Sequence, residues 1–509
     1  IEDGKLLFAL EAEKDNYPRY ERLTAEVMVR AAGLLPRPPD VVALSGWVKG
    51  IHSVEPPTRA GYFGVGPDAI QDDPGKFFGA DVRIFSSTHE RSHIMTAYGM
   101  GPIRAGQPCY SLVWEGSIGS FYRQDEKGVV THLQHVLTDP GNKYAYLFFL
   151  ADPTFPAGKG MFRYDAPGKQ MALTGYAQAT ELSPAERETI DFILKRDGII
   201  LGVSKDEMRW SPIYNVGLDS QVYRNLAARH SQAIFDMFYE WAAKNMTEGL
   251  PLLVSGGCGL NCDWNRMWRE SGLFSEVFVP PCPNDSGSAL GTAIDAHWYY
   301  TGSAIIDWTV YAGEEFVEDV QPDPATYDCR PLVVGEVARY LEQGNVVAWA
   351  RGRYEMGPRA LGNRSLLAAP FKREMTVRLN KIKQREGYRP IAPICLESDA
   401  EKWFVGSVVD PYMLYFNHVT SDELKAITHV DGTARTQTVT HAQNPRVAEL
   451  LEAFRDRTGF SVLCNTSLNN SGRGFINRTS DLITYGEERG LDGYVVNDTF
   501  IVPRNRQMA

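Results

Sequence analysis

Apolar and polar residues alternate along this chain in two rhythms. Short apolar runs with the composition of β-strands are followed by stretches in which apolar residues recur every three or four positions, as on one face of an α-helix. In the first third of the chain the strand-like runs are KLLFALEAEK, VVALSGW, DVRIFSS and CYSLVWEGS, and the helix-like stretches are LTAEVMVRAAGLL and ERSHIMTAYGMG. This alternation predicts an α/β fold.

The pattern continues for about 300 residues before it is interrupted. Residues 181–247 are predicted to be mainly helical, and their first helix opens on Ser183 and Glu186, which have the spacing of a capping box. Two glycine turns that each lead into a helix follow, VSGGCGLN and NDSGSALG. The acidic and proline-rich segment FVEDVQPDPATYDCRP then breaks the pattern, so we predict two domains, residues 1–325 and 326–509.

Composition narrows the class of protein. The chain has 509 residues, 43% hydrophobic and 23% charged, as in ordinary globular proteins, and is long enough for two or three domains. Its formal net charge of −11, without a long basic block, argues against a nucleic-acid partner. The apolar runs are too short for a membrane span. The seven cysteines are scattered and show no second ligand pair beside Cys258 and Cys262, so we expect a cytoplasmic protein without a structural zinc site.

His89 and His93 stand on either side of Glu90 in the string His-Glu-Arg-Ser-His. Two histidines four positions apart on a helix lie on one face and can hold one metal ion. A zinc peptidase would use the intervening glutamate as its general base. The string by itself leaves open a peptidase site, a metal site for other chemistry and an ordinary pair of histidines.

The position of Glu115 argues against the peptidase alternative. It ends the apolar run LVW and precedes Gly116 and Gly119, a pattern of strand, tight turn and strand. A peptidase of the H-E-x-x-H type would carry its third ligand on a second helix, whereas a carboxylate at a hairpin suits another kind of ligand site. The metallopeptidase therefore becomes the minor alternative.

Several segments later in the chain have the chemistry of an anion site. The two glycine turns offer backbone amides at helix starts, which favour phosphate. In GRYEMGPRALGNRSLL, Arg359 and Arg364 lie among glycine, proline and asparagine, which indicates a loop around an anion. NKIKQREGYRP adds Lys383 and Arg385, HVDGTARTQ adds Arg435, and CNTSLNN supplies hydroxyl and amide groups.

Taken together, these motifs resemble the ATP-dependent O-carbamoyltransferases, a family that includes nodulation-factor and aminoglycoside carbamoyltransferases. The resemblance runs over nearly the whole chain and is carried by STHERSHIMTAY, SGGCGLNCDWN, NDSGSALGTA, EMGPRALGNRSLLA, KQREGYRPIAP, HVDGTARTQ and CNTSLN. VVALSGWVKG and LVWEGSIGSFY are similar to the branch of the family that acts on 3-hydroxymethylcephems.

The resemblance implies a fold and a two-step reaction. The first domain would have the actin/hexokinase-like (ASKHA) ATPase fold, and the second would be YrdC-like, giving an α/β and α+β protein. The second domain would form carbamoyl adenylate from carbamoyl phosphate and ATP. The first domain would then transfer the carbamoyl group to an acceptor hydroxyl at a metal site, with release of AMP.

Site residues follow from the same resemblance. The metal ligands would be His89, His93, Glu115 and Asp285, with Glu115 standing where many family members have aspartate. Gly256 and Gly257 would contact the adenylate. The phosphate-binding and catalytic side chains would be Arg359, Arg364, Lys383 and Arg385, with Ser467 and Asn469 completing their pocket. Acceptor contacts are expected from aromatic residues such as Trp47, Trp114 and Tyr122.

The expected cofactors are ATP with Mg²⁺, and Fe²⁺ or Zn²⁺ at the histidine pair. Ligand type suits both metals, and the family resemblance favours iron. The expected partners are carbamoyl phosphate and a small-molecule hydroxyl acceptor, with no nucleic acid and no membrane, and a homodimer is left open. Family members begin with a strand bearing a GHD-like stretch whose histidine contributes to transfer, and we expect such a strand to precede Ile1.

Two further alternatives remain at this point. A tRNA threonylcarbamoyl transferase shares the fold of the first domain but should show a basic RNA-binding surface, which the net charge of −11 opposes. A regulatory nucleotide-binding module would keep the glycine turns but would need neither the histidine pair nor the arginine loop.

Overall fold

The computed structural model describes residues 1–47, 59–156, 158, 163–406 and 408–506. They form two compact units. We call Pro39–Ile306 the central unit, and Ile1–Pro38 together with Asp307–Ala509 the terminal unit.

This grouping differs from the two domains predicted at residue 325. Ile1–Pro38 packs with the C-terminal part of the chain, and the second division comes at Asp307. The physical reason is a set of contacts between residues far apart in sequence, such as the ion pair of Arg30 with Glu314 and the hydrogen bond from Lys14 Nζ to the carbonyl of Gly357 at 2.6 Å. Sequence patterning, which is local, contains no signal for such contacts.

Fourteen α-helices occur in the described residues. In chain order they are α1 Ala25–Gly33, α2 His89–Met100, α3 Pro140–Ala151, α4 Ala166–Thr174, α5 Pro184–Lys195, α6 Ile199–Gly202, α7 Gln221–Asn245, α8 Cys262–Glu270, α9 Asp285–Thr301, α10 Val334–Glu342, α11 Arg373–Ile382, α12 Ala400–Trp403, α13 Pro445–Thr458 and α14 Thr479–Arg489.

The same residues contain nineteen strands. They are β1 Val41–Ser45, β2 Ile70–Phe77, β3 Ala80–Ser87, β4 Cys109–Trp114, β5 Gly119–Gln124, β6 Val130–His135, β7 Leu252–Ser255, β8 Val277–Phe278, β9 Tyr327–Pro331, β10 Val347–Ala350, β11 Arg364–Ala368, β12 Ala392–Leu396, β13 Phe404–Val405, β14 Phe416–Val419, β15 Thr433–Arg435, β16 Gln437–Val439, β17 Val462–Ser467, β18 Gly493–Val496 and β19 Thr499–Pro503.

The central unit contains two mixed sheets. Five strands follow the order β6-β5-β4-β7-β8, in which β4 pairs antiparallel with β5 and parallel with β7. Three strands follow the order β1-β3-β2. Helix α2 packs on α9 and against β4 and β7, so it is covered on all sides, and each of its residues is buried.

The terminal unit is built on an eight-stranded mixed sheet of order β16-β12-β17-β11-β10-β18-β19-β9, with a separate sheet β13-β14-β15. Side chains alternate across strand β10. Val347 and Trp349 pack with residues of α10 and α13 on one face, while Ala348 and Ala350 pack with residues of α11 and α14 on the other. Helices on both faces explain why this strand reads as continuously apolar.

The mixed α/β class is confirmed, and most of the predicted elements are present. The capping box of Ser183 and Glu186 at α5 is formed as predicted. One element is wrong, since KLLFALEAEK is not a strand. Its N–H groups make two separated bonds to the neighbouring segment, from Leu6 N to the carbonyl of Asp307 and from Ala9 N to that of Ala312. The chain then turns after Glu11, before a ladder can form.

Among the described residues, we find no helix with both the length and the apolar character needed to cross a bilayer. The seven cysteines lie in the described part of the chain, and no disulfide joins any two of them there.

Candidate functional site

Helix α2 presents the two histidines on one face. Thr88 caps the helix by accepting a hydrogen bond from Arg91 N at 3.1 Å, so that His89 begins the first turn and His93 follows one turn later. The two imidazoles are fully buried, and their Nε2 atoms lie 3.1 Å apart. The helical spacing therefore brings the two imidazole nitrogens close together, as the sequence predicted.

Two carboxylates reach the same point from other elements. Glu115 lies in the tight turn between β4 and β5, where its backbone N–H bonds to the carbonyl of Ile118 at 2.8 Å. Asp285 is the first residue of α9. Glu115 Oε2 lies 3.8 Å from His89 Nε2, and Asp285 Oδ1 lies 3.5 Å from His93 Nε2. One ligand atom from each of the four residues falls within 4.8 Å of all the others.

The position of Asp285 depends on how α9 packs against α2. Gly291 makes close packing possible, because a Cβ at this position would lie 1.9 Å from the carbonyl oxygen of Ser92. The hydroxyls of Ser92 and Thr292 are 2.7 Å apart across the contact. Arg91 also donates two hydrogen bonds to Asp295, at 2.7 and 2.8 Å. These contacts set the register that brings Asp285 to the histidines.

The electrostatics of the cluster favour a positive charge at its centre. Burial lowers the pKa of His93, but the hydrogen bond and charge of Asp285, with the charge of Glu115, outweigh it and raise the pKa overall. Burial raises the pKa of Glu115, but the hydrogen bond and charge of His89 outweigh it and lower the pKa overall. The carboxylates thus attract positive charge between themselves and the imidazoles, either as protons or as a divalent cation.

The donor set fits a transition metal ion. Two imidazole nitrogens and two carboxylate oxygens suit iron(II) or zinc. Metal–ligand bonds of about 2.0–2.2 Å would place neighbouring ligand atoms about 3–3.6 Å apart. The separations of 3.1 and 3.5 Å agree with this. The separations of 3.8 Å from His89 Nε2 to Glu115 and to Asp285 require both carboxylates to move inward.

A second site candidate lies in the terminal unit. Lys383 is buried, and its Nζ donates to the carbonyls of Ser467 and Asn469 at 2.6 and 2.8 Å and to the side chain of Asn469. Ser467 Oγ bonds to the same side-chain oxygen, Asn469 Oδ1. The structure thus brings together three of the predicted phosphate-site residues.

Basic side chains surround this group. We call them the cationic cluster, and they are Arg19, Lys383, Arg385, Arg389, Arg435 and Arg489. Burial, followed by the charges of Arg385, Arg19 and Arg389, lowers the pKa of Lys383 well below its usual range. Burial and the charges of Arg389 and Arg435 lower the pKa of Arg385 to about 9. Because these cations repel one another, an anion bound among them would be strongly stabilised.

Comparisons with known proteins identify the family of the chain. The 3'-hydroxymethylcephem-O-carbamoyltransferases of Amycolatopsis lactamdurans and Streptomyces clavuligerus are 49% and 48% identical to this chain, over 98% of it and 96% of each relative. The chain belongs to the carbamoyltransferase family. Residues 338–503 match the family model described as Carbamoyltransferase C-terminus, and residues 237–294 match Carbamoyltransferase N-terminus. Nodulation protein U of Rhizobium tropici is 34% identical over 93% of this chain and 89% of its own length.

In this carbamoyltransferase, Glu90 does not face the four-ligand cluster. Its carboxylate accepts hydrogen bonds from the hydroxyl of Tyr122 and from Gly64 N, the latter at 2.5 Å. A peptidase would need this carboxylate next to a metal-bound water. The hydrogen bonds of Glu90 therefore give it a structural role, in agreement with the carbamoyltransferase assignment.

The glycine turn at Gly256 and Gly257 contacts both segments that supply the carboxylates of the four-residue cluster. Gly256 has a φ of +92°, and a Cβ on it would lie 2.4 Å from the carbonyl oxygen of Trp114. Its N–H donates to the carbonyl of Pro283 at 2.7 Å, next to the start of α9. Gly256 thus holds the hairpin of Glu115 and the turn of Asp285 near each other. An adenylate contact by Gly256 and Gly257 stays a prediction.

The two predicted loop arginines differ in their surroundings. Arg364 is fully buried, and its guanidinium donates to Asn477 Oδ1 and to the carbonyls of Arg351, Gly352 and Asn363. With its N–H groups engaged in this way, Arg364 orders the loop rather than offering donors to a phosphate. Arg359 is half-buried in the same loop.

Glu355 orders the backbone that carries Arg359. It is fully buried, and its Oε1 accepts hydrogen bonds from the backbone N–H groups of Leu361, Asn363 and Arg364, the last two at 3.2 and 3.3 Å. Sequence reasoning did not single out Glu355, because a buried carboxylate that binds backbone amides has no characteristic spacing.

The aromatic residues expected to contact the acceptor separate into two groups. Trp114 is fully buried and stacks on Trp264 with ring centroids 4.4 Å apart, and Tyr122 is also fully buried. Neither side chain can contact a substrate in this arrangement. Trp47 is 43% exposed and lies edge-on to His89, with ring centroids 4.7 Å apart. Of the three, Trp47 alone is both accessible and packed against His89.

Two neighbours of the cluster were missed from the sequence. Tyr62 stacks on His89 with ring centroids 4.5 Å apart, and Phe63, 65% exposed, packs against Tyr62. The segment GYFG that contains them has no motif or periodicity that points to a metal site. Only the tertiary structure places Tyr62 beside His89 and Phe63 beside Tyr62.

Proposed function

We propose that this chain is an ATP-dependent O-carbamoyltransferase that transfers the carbamoyl group of carbamoyl phosphate to the hydroxymethyl group of a 3'-hydroxymethylcephem. The observation that carries the proposal is the convergence of His89, His93, Glu115 and Asp285 in a chain 49% identical, over 98% of its length, to a 3'-hydroxymethylcephem-O-carbamoyltransferase.

Activation would take place at the cationic cluster of the terminal unit. A carbamoyl group is a poor electrophile, and its mixed anhydride with AMP provides a good leaving group. Arg385 and Arg359 would hold the phosphates of carbamoyl phosphate and ATP. Lys383, whose three Nζ hydrogens already bond to Ser467 and Asn469, would stabilise the phosphates through its charge. Ser467 and Asn469 orient Lys383 Nζ through hydrogen bonds. Carbamoyl phosphate, ATP and one water would give carbamoyl adenylate, pyrophosphate and phosphate.

Transfer would take place at the metal cluster of the central unit. The acceptor oxygen forms a bond to the carbamoyl carbon, the bond from that carbon to the AMP oxygen breaks, and the hydroxyl proton is lost. A divalent metal held by the four ligands would act as a Lewis acid toward the carbonyl or phosphoryl oxygen. Iron(II) is the proposed ion, with Mg²⁺ accompanying ATP at the other site.

The finer fold assignments belong to the same proposal. We assign the actin/hexokinase-like fold to the part of the chain that holds the metal cluster, and the YrdC-like fold to the part that holds the cationic cluster. What supports them is the mixed sheet order of each unit and the resemblance of the motifs.

The test is a reconstituted reaction. Purified protein is incubated with ATP, Mg²⁺, Fe²⁺, carbamoyl phosphate and a 3'-hydroxymethylcephem, and AMP and pyrophosphate are measured together with the mass of the cephem product. The matched acceptor control has a methyl group in place of the hydroxymethyl group. We expect a carbamoylated product and one AMP per product with the first acceptor, and no product with the control.

Two outcomes would reject the proposal. Product formed without ATP, or with release of ADP in place of AMP, would exclude the adenylate route. Cleavage of a peptide library without ATP consumption would restore the metallopeptidase alternative.

A further inference from the structure

We propose that Tyr62 is a positioning residue of the metal centre. Its hydroxyl holds one carboxylate oxygen of Glu115, so that only the other oxygen faces the metal, and its ring fixes the plane of the His89 ring. The proposal rests on the metal site of the proposed function, but it assigns a role to a residue outside the ligand set.

The first observation is the hydrogen bond between Tyr62 and Glu115. The Tyr62 hydroxyl donates to Glu115 Oε1 at 2.8 Å, while the other oxygen, Oε2, lies 3.8 Å from His89 Nε2. The two oxygens of one carboxylate are thus divided between a phenol donor and the ligand cluster. A carboxylate held in this way binds a metal through one oxygen, because binding through both would require breaking the tyrosine bond.

The second observation concerns the ring of His89. Histidine ligands usually donate their other ring N–H to a carboxylate, a carbonyl or a water, which fixes the orientation of the ring. Among the described residues, His89 Nδ1 has no such partner although it is buried. The contacts that the described residues make with this imidazole are aromatic.

Aromatic packing provides that orientation. Tyr62 stacks on the His89 ring at an interplanar angle of 26°, with centroids 4.5 Å apart. Trp47 lies edge-on to both rings, 4.7 Å from His89 and 5.3 Å from Tyr62 between centroids. Tyr62 is only 8% exposed, so its ring also shields this side of the cluster from water. A single side chain thereby orients a nitrogen ligand through its ring and an oxygen ligand through its hydroxyl.

The position of Tyr62 is itself fixed by the start of α2. The carbonyl of Tyr62 accepts a hydrogen bond from Glu90 N at 2.9 Å, and the carbonyl of Gly61 accepts one from His89 N at 3.2 Å. Two of the backbone donors left unpaired at a helix N-terminus are satisfied by the segment that carries Tyr62. The tyrosine and the first histidine ligand are therefore held as one local structure.

The test uses Tyr62→Phe, which removes only the hydroxyl. The matched control is Tyr122→Phe. Tyr122 is also a buried tyrosine of the central unit whose hydroxyl bonds to a carboxylate, but that carboxylate is Glu90, which lies outside the ligand set. Co²⁺ is the probe, because its visible absorption reports the coordination number, and its affinity is measured by titration against a chelator.

For Tyr62→Phe we expect Co²⁺ affinity to fall about 10- to 100-fold, as for other residues that orient metal ligands. Because Glu115 Oε1 is released, we also expect a higher coordination number and hence weaker Co²⁺ absorption. Tyr122→Phe should bind Co²⁺ with the wild-type affinity and spectrum. Thermal unfolding of each metal-free protein verifies that the variants are folded.

A double variant tests whether Tyr62 acts through Glu115. If it does, adding Tyr62→Phe to Glu115→Gln should lower Co²⁺ affinity less than the same change does in the wild type. Equal effects in both backgrounds would overturn the carboxylate part of the proposal, and this comparison remains informative if Tyr62→Phe alone is unstable. Wild-type affinity and spectrum in a folded Tyr62→Phe protein would also overturn the carboxylate part. The same result in a folded Tyr62→Leu protein, which lacks the ring as well, would overturn the part that concerns the plane of His89.

The outcome is separable from that of the proposed function. If the wild type binds Co²⁺ with the expected dependence on Tyr62 but carbamoylates no acceptor, only the proposed reaction fails. If His89→Ala binds Co²⁺ as well as the wild type does, the four residues are not the metal site, and both proposals fail.

Discussion

Arg91 and Asp295, 204 positions apart in the chain, form a two-pronged ion pair with nitrogen–oxygen distances of 2.7 and 2.8 Å. Arg91 lies midway between His89 and His93 on α2. Asp295 lies on α9, whose first residue is Asp285. The pair therefore joins the helix that carries His89 and His93 to the helix that begins with Asp285.

We expect Asp295→Ala to destabilise the protein by about 3–5 kcal/mol, because it leaves the Arg91 guanidinium buried without its counter-charge. Urea unfolding measures the effect. The control is Asp191→Ala, which breaks the exposed pair of Asp191 and Lys195, 62% and 77% exposed, and should cost less than about 1 kcal/mol. Equal effects of the two changes would show that the buried pair contributes nothing beyond a surface pair.

Gly291→Ala is expected to weaken both folding and metal binding. The new Cβ would meet the carbonyl oxygen of Ser92 at 1.9 Å, so α9 must move away from α2 and carry Asp285 away from His93. Overpacking of this kind costs about 1–3 kcal/mol. Urea unfolding and Co²⁺ titration measure the two effects.

The control for Gly291→Ala is a helical glycine with space around it. Nothing lies within 4 Å of a Cβ at Gly335 of α10, so Gly335→Ala should preserve stability and Co²⁺ affinity. Full Co²⁺ affinity in a folded Gly291→Ala protein would mean that the α2–α9 contact does not set the ligand geometry.

Variants at the two sites should block different steps of the reaction. Arg359→Ala is expected to abolish adenylate formation, because it removes a guanidinium that we propose binds phosphate. His89→Ala is expected to leave adenylate formation intact and to abolish transfer, because it removes a metal ligand. Exchange of labelled pyrophosphate into ATP in the presence of carbamoyl phosphate measures the first step, and product mass measures the second. Loss of exchange in both variants would contradict this division.

The buried imidazole of His230 makes the stability of the fold depend on pH. Complete burial lowers its pKa to about 4, and its Nε2 donates to the carbonyl of Lys143 at 3.1 Å. The unfolded chain binds a proton near pH 6.5, while the folded chain does not until about pH 4. Stability from this group is therefore full above pH 6.5 and falls as the pH drops toward 4, by up to about 3 kcal/mol.

The variant His230→Gln should lose most of this slope between pH 6.5 and 4, as measured by urea unfolding at several pH values. His441→Gln is the control, since His441 is 53% exposed and should leave the slope unchanged. A slope that persists in full in a folded His230→Gln protein would assign the pH dependence to other groups.

Local periodicity predicted much of the fold. It identified α2, α5, α7 and α9, the glycine turns before α8 and α9, and the hairpin that carries Glu115. It failed for KLLFALEAEK, because apolar alternation indicates a strand only if a partner strand pairs with it along its length. It also gave no indication that Ile1–Pro38 packs with the C-terminal part of the chain.

The sequence by itself determined that His89 and His93 share a helix face and that a carboxylate stands at a neighbouring hairpin, since both follow from spacing within one element. Tertiary structure alone decided that Tyr62 holds Glu115, that Arg364 is used within its own loop, and that Trp114 and Tyr122 are buried while Trp47 borders the cluster. The physical reason is that helix and strand periods act over a few residues, whereas hydrogen-bond partners and exposure depend on which distant segments pack together.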